Sequence, residues 1–250
     1  MLKALYNAFD RRRRPLREHH FLAFPDLGFA YARVPNAASD VVRRTLGKLV
    51  ASPDLLPGKS GVPWIDGAEL LTARQLQRRH PNLFVFTVLR DPLTRLAACY
   101  RRQIEDRSDL PDSWKMRGFE PNMSFRDFTI RICEIGDLTA ENQYRSQTAI
   151  LAYKGRFIPQ FFVRFERLES DWFSLRQLLS DRGTVDIGDL PARVAPYRER
   201  DLRTSNTLDP WVFELVRRRY RHDFRNFYPD RLPPSGRDPG LVPTMAAASR

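Results

Sequence analysis

The sequence predicts an α/β fold in which a mostly parallel sheet is covered by helices on both faces. Three observations carry that prediction. Short apolar runs at 27–34, 83–89 and 157–165 read as buried strands. Stretches with helical periodicity separate them. Two of the strands run straight into a turn and a helix: Gly28 to Val34 into Pro35-Asn36-Ala37-Ala38-Ser39-Asp40, and Leu83 to Leu89 into Arg90-Asp91-Pro92.

Along the chain, residues 1–20 read as a basic leader, 21–228 as one domain and 229–250, with its prolines and small residues, as a disordered tail. Residues 38–51 form a helix, and 52–67, rich in Pro and Gly, a loop. A helix spans 68–80, with Thr72 able to cap its second half and Gln75, Arg78 and Arg79 outward. The apolar stripe Leu93, Leu96, Ala97, Tyr100 and Ile104 predicts a helix over 92–107, followed by a polar loop at 108–122. Ser124 caps a helix on which Phe125, Phe128, Ile132 and Ile135 share a face. Further helical stretches fall at 139–152, 170–182 and 210–220, the last with Pro210 in its first turn.

Composition narrows the class. No apolar run reaches the roughly 18 residues of a membrane helix, and the first residues lack the apolar core of a secretory signal, so a cytoplasmic protein is expected. Cys99 and Cys133 fall in predicted helices, fit reduced, packed thiols, and suggest no metal site. A net charge of +12, from 42 basic and 30 acidic residues, favours a polyanionic partner or reflects arginine-rich coding. A nucleic acid is not expected, because no aromatic–basic motif accompanies the charge.

The turns are where chemistry is expected. Arg90 ends a buried strand, and Asp91-Pro92 starts a helix at once, so a guanidinium stands beside a helix N-terminus that already favours anions. Arg90 could instead pair with a surface carboxylate, and Pro35 to Ser39 could be an ordinary tight turn. Gly58-Lys59-Ser60 is a decoy: Pro53 stands where a nucleotide-triphosphate loop needs glycine, and no strand precedes it.

Four segments, in order, resemble the carbohydrate-type sulfotransferases that use 3'-phosphoadenosine 5'-phosphosulfate (PAPS). They are Arg33 to Asp40; Val88 to Tyr100, with Arg90-Asp91-Pro92 and a second arginine at Arg95; Val163 to Leu168; and Val216 to Phe227, with Tyr220, Asp223, Phe224 and Phe227. The resemblance covers residues 25–228. It implies a three-layer sandwich like that of nucleotide kinases, PAPS as sulfuryl donor, no metal, and a saccharide hydroxyl as acceptor. The donor's 5' end would lie on Arg33, Pro35, Asn36, Ala37, Ala38, Ser39, Asp40 and Arg43, and its 3'-phosphate on Arg90 near Ala98.

Four positions depart from the pattern. Asn36 replaces a lysine that would carry charge to the leaving phosphate. Asp40 replaces a phosphate-binding Thr or Ser, Ala98 replaces a serine, and Gln143 stands at an expected histidine in Asn142-Gln143-Tyr144-Arg145-Ser146-Gln147. Glutamine is no general base. Arg33 or Arg43 would then replace the lysine, and Glu141 or Glu166 the base, unless Glu166 is a structural partner. Asp223 and Tyr220 read as packing and capping residues. An alternative expectation is a catalytically impaired member that binds nucleotide or anionic glycan, or acts as a scaffold. Oligomeric state is unreadable.

Overall fold

The computed structural model describes residues 14–49, 68–190 and 209–231. The loop 52–67 with Gly58-Lys59-Ser60, the first part of the leader and most of the 229–250 tail lie outside them. In chain order the elements are β1 (His19–Phe24), β2 (Phe29–Ala32), α1 (Ser39–Gly47), β3 (Glu69–Thr72), α2 (Ala73–Arg79), β4 (Phe84–Leu89) and α3 (Pro92–Tyr100). A π-helical turn (Arg101–Glu105) extends α3. There follow α4 (Asp112–Lys115), α5 (Phe125–Glu134), α6 (Gln147–Leu151), the hairpin β5 (Ala152–Tyr153) and β6 (Arg156–Phe157), β7 (Phe161–Arg164), α7 (Leu168–Asp181), α8 (Pro210–Arg219) and α9 (Arg221–Phe227).

The main sheet runs β3-β1-β2-β4-β7. β2, β4 and β7 are parallel neighbours, whereas β1 pairs antiparallel with both β2 and β3, so the sheet is mixed. With helices flanking it, the architecture is the expected α/β three-layer sandwich. All six residues of β4 are buried, as a central parallel strand requires. Phe86 at its middle meets Tyr31 at 5.3 Å and Trp172 of α7 at 5.9 Å. The register Ala32↔Thr87, sealed by a Thr87 hydroxyl donating to the Ala32 carbonyl at 2.7 Å, brings β2 and β4 to the same edge. Their two following turns therefore lie side by side.

Several elements differ from the sequence reading. Residues 69–72 of the expected 68–80 helix form the edge strand β3, because pairing with β1 and burial of Leu71 outweigh local helix propensity. Thr72 does cap α2, in a capping box with Gln75. β1 begins inside the stretch read as leader. The loop 108–122 contains α4, whose Trp114 is buried against Phe119 and Tyr144. Of 139–152 only α6 is helical.

Both cysteines are free thiols, and burial pushes Cys99 up to about 12. Among the described residues no group of His, Cys, Asp and Glu could hold a metal ion, and no helix is long and apolar enough to cross a membrane.

Candidate active site

The first turn owes its shape to two left-handed residues, Asn36 (φ 63°) and Ala38 (φ 55°). Asparagine tolerates that conformation better than a longer side chain does, which gives Asn36 a structural reason to stand there. Ala38 caps α1 without a side-chain bond, so the helix N-terminus is left to other acceptors. Asn36 also donates its Nδ2 to the Gln143 carbonyl at 3.0 Å.

The second turn is braced from every side. Asp91 Oδ1 accepts from the N–H groups of Leu93 and Thr94 at 3.0 and 3.1 Å, capping α3. Its own N–H donates to Glu166 at 2.7 Å, and Tyr228 donates to the other Glu166 oxygen at 3.1 Å. Burial pushes the Glu166 carboxyl up, and its bonds make it a brace for this turn. Arg231 approaches Asp91 Oδ2 at 3.3 Å. Gln147 treats Arg90 as a strand neighbour would, accepting from its N–H at 3.0 Å and donating to its carbonyl at 2.8 Å. The Arg90 guanidinium is buried over the Phe165 ring, 4.3 Å from its centroid, and donates to the Asn36 carbonyl at 2.9 Å.

Arg95 locks the two turns to residues 142–145. It is 2% exposed and donates to the carbonyls of Pro35 (2.9 Å), Arg145 (2.7 Å), Asn142 (3.1 Å) and Gln143 (3.4 Å). Arg17 does the same from the other side, donating to Asp137 and Ala140 carbonyls. Carbonyls held by arginines in this way are unavailable to an α-helix, which is why the segment before α6 is irregular.

These contacts surround a cavity of about 670 Å³. Among the described residues, six arginines line it (Arg14, Arg17, Arg33, Arg43, Arg102 and Arg107) with two carboxylates, Asp40 and Glu141. Both carboxylates are engaged: Asp40 by Arg43 and Arg102, and Glu141 by Arg14 at 2.8 Å and Arg117 at 3.2 Å. Burial opposes ionisation of Asp40, but its bonds to Arg102 and Arg43 outweigh that and hold the carboxyl below its usual range. The Arg33 side chain makes no hydrogen bond or ion pair among the described residues, and its Nε is buried. Burial and the neighbouring Arg43 push its pKa down, so the guanidinium gains from an incoming anion.

Of the residues singled out from the sequence, Arg33, Pro35, Asn36, Ser39, Asp40, Arg43, Glu141 and Gln143 all line this cavity. Arg90 sits behind the turn, bonded to Asn36; Ala37 is buried, Ala38 caps α1, and Ala98 lies half-buried on α3. Sequence reasoning missed Arg14 and Arg17, hidden in the apparent leader, and Arg102, Gln103 and Arg107, for which no motif gave a signal. Asp223 caps α6 by accepting from Gln147 and Thr148 N–H groups at 2.8 and 2.7 Å, and Tyr220 donates to the Tyr144 carbonyl at 2.6 Å.

The sulfotransferase family model matches residues 19–229, the whole stretch from β1 to the last described α-helix. The chain belongs to the sulfotransferase family. No curated protein and no solved structure gives a significant match. For a sulfotransferase, the donor set is apt: an arginine-lined cavity beside an uncapped helix N-terminus suits a doubly anionic nucleotide. Arg33, with no acceptor among the described residues, is the observation of fit.

Proposed function

We propose that this sulfotransferase uses PAPS and moves its sulfuryl group to a hydroxyl of a carbohydrate. The donor would supply an activated sulfuryl group; the chain's residues bind, orient and neutralise. Arg90, at the start of α3, would hold the 3'-phosphate, close to Ala98. The 35–40 turn and the N-terminus of α1 would hold the 5' end.

Asn36 cannot carry the charge that the family's lysine carries, and Arg33 is the replacement that the geometry favours. Arg43 is tied to Asp40 at 2.5 Å, whereas Arg33 lines the same cavity with no protein acceptor among the described residues. That observation carries the reading. A fixed guanidinium stabilises charge on a leaving phosphate without reorganisation. Gln143 would orient the acceptor hydroxyl, and Glu141 would take its proton after loosening from Arg14 and Arg117. Glu166 is the weaker candidate for that role, because it braces the Asp91 N–H and the Tyr228 hydroxyl and does not line the cavity.

The test is calorimetric titration with 3',5'-ADP, the desulfonated donor, against 5'-AMP. Saturable one-site binding that 5'-AMP does not match is expected, and it is lost in Arg90→Ala. Unchanged binding in that variant refutes the assignment.

A second reading is a catalytically impaired member that binds nucleotide or anionic glycan, or scaffolds a partner. It is favoured by the Asn36 amide being engaged with Gln143 and by both cavity carboxylates being engaged with arginines. Sulfate transfer by the unaltered chain rules it out. Transfer only after Asn36→Lys with Gln143→His establishes it.

A further inference from the structure

Asp40 is the residue that the donor reading leaves unexplained. It occupies the second position of α1, at the end of the turn that would hold the 5' end, and it lines the cavity. A helix N-terminus with arginines around it attracts anions, and a carboxylate built into it opposes them. The structure shows how the chain tolerates this group. Arg43, one turn further along α1, donates to Oδ1 at 2.5 Å, and Arg102, from the π-helical turn after α3, donates to Oδ2. One carboxylate thus bonds two of the six cavity arginines, from two elements far apart in sequence.

We propose that Asp40 is a resident counter-anion, which the 5' anionic group of the ligand must displace from Arg43 and Arg102 before it can engage them. The inference rests on the assignment of a nucleotide's 5' end to the 35–40 turn. Three features suit displacement. The Asp40 side chain is 36% exposed, so it can turn out to solvent at small cost. The Arg33 side chain, which makes no hydrogen bond or ion pair among the described residues, offers the first contact before the exchange. Arg43 lies one turn further along α1 and Arg102 on the π-helical turn after α3, so both already line the cavity when Asp40 leaves them. The consequence is a site tuned to let its ligand go. An anion gains two guanidinium contacts only by breaking two that exist, so affinity falls and release quickens. A site with a neutral hydroxyl at this position would hold the same anion more firmly.

The experiment separates the 5' group from the rest of the nucleotide. Titrations with 3',5'-ADP and with adenosine 3'-phosphate, on the unaltered chain and on Asp40→Asn, give the affinity increment due to the 5'-phosphate in each. The expected result is an increment about tenfold or more larger in Asp40→Asn, with adenosine 3'-phosphate bound equally by both. Asp40→Ser, which keeps a helix-compatible polar group, gives the same change and guards against a folding defect in the amide variant. An increment that is unchanged or smaller in both variants overturns the proposal, because Asp40 would then be positioning Arg43 and Arg102 for the ligand. If the unaltered chain ignores both nucleotides, the nucleotide assignment fails separately. Inorganic pyrophosphate then reads Asp40 on its own: tighter binding by the variants supports displacement, and equal binding removes it.

Discussion

Replacing Arg95 by methionine tests whether the two turns are held together by one buried side chain. Arg95 donates to four backbone carbonyls on two segments, at 2.9 Å to Pro35 and between 2.7 and 3.4 Å to the 142–145 segment. Methionine fills much of the same volume and donates nothing. A hydrogen bond from a charged group contributes about 1.5–3 kcal/mol net, and four of them do not add, because removing the guanidinium also removes its desolvation cost. A buried acceptor left without its donor costs about 1–3 kcal/mol, and with four carbonyls affected and part of the cost relieved we take about 3–5 kcal/mol as the expected destabilisation. For a domain of this size it lowers Tm by roughly 6–20 °C. Urea denaturation followed by far-ultraviolet circular dichroism measures it directly. Arg95→Lys keeps the charge with three donors on a single nitrogen, and recovers part of the loss. Arg95→Met should also bind 3',5'-ADP more weakly at a temperature where the variant is folded, because the first turn loses its tie to 142–145. A loss below about 1 kcal/mol, the scale of a surface pair, refutes the clamp.

His20 should make the protein acid-sensitive. It is 1% exposed, neither ring nitrogen has a partner among the described residues, and burial followed by the charges of Arg33, Arg145 and Arg17 holds its pKa well below the ordinary histidine value. The folded chain therefore stays neutral at His20 while the unfolded chain takes up a proton below about pH 6.5, so stability present above that pH falls as acid is added. His20→Phe should show a smaller Tm drop than the unaltered chain over that range, and an equal drop rules His20 out as the cause. Asn36→Lys should fail to restore the family's charge cheaply. The substitution puts a lysine at φ 63° and deletes the bond to Gln143, so a loss of about 1–3 kcal/mol is expected in thermal denaturation. An unchanged Tm would mean that the left-handed turn places no demand on residue 36.

The parallel core was legible because its strands are apolar on both faces, and β4, buried at every position, was the clearest. β1 and β3 were not, since two histidines open the one and Glu-Leu-Leu-Thr in the other has helical preference; their pairing is decided by contacts between distant segments. The candidate site followed the same division. Turns that end strands carry local signals, namely Pro35 with small residues and Arg90-Asp91-Pro92. The cavity walls carry none, because Arg14, Arg17, Arg102 and Arg107 look like any surface arginine until the fold gathers them around one cavity. Glu166 was readable as a structural partner, and it holds the Asp91 N–H and the Tyr228 hydroxyl.

Gln147 links the order of synthesis to the order of assembly. Its side chain completes the backbone bonding of Arg90, its own N–H is held by Asp223 of α9, and Tyr228 just beyond α9 steadies Glu166 under Asp91. The second turn is therefore finished by residues near the end of the matched region, about 130 positions after the strand that presents it. A nascent chain can pair β2 with β4 early, but the turn at Arg90-Asp91-Pro92 stays unbraced until α9 has left the ribosome. On the proposed reading, ligand capture would then wait for the end of synthesis, and a chain that stops short of α9 would carry Arg90 without the bonds that brace its turn.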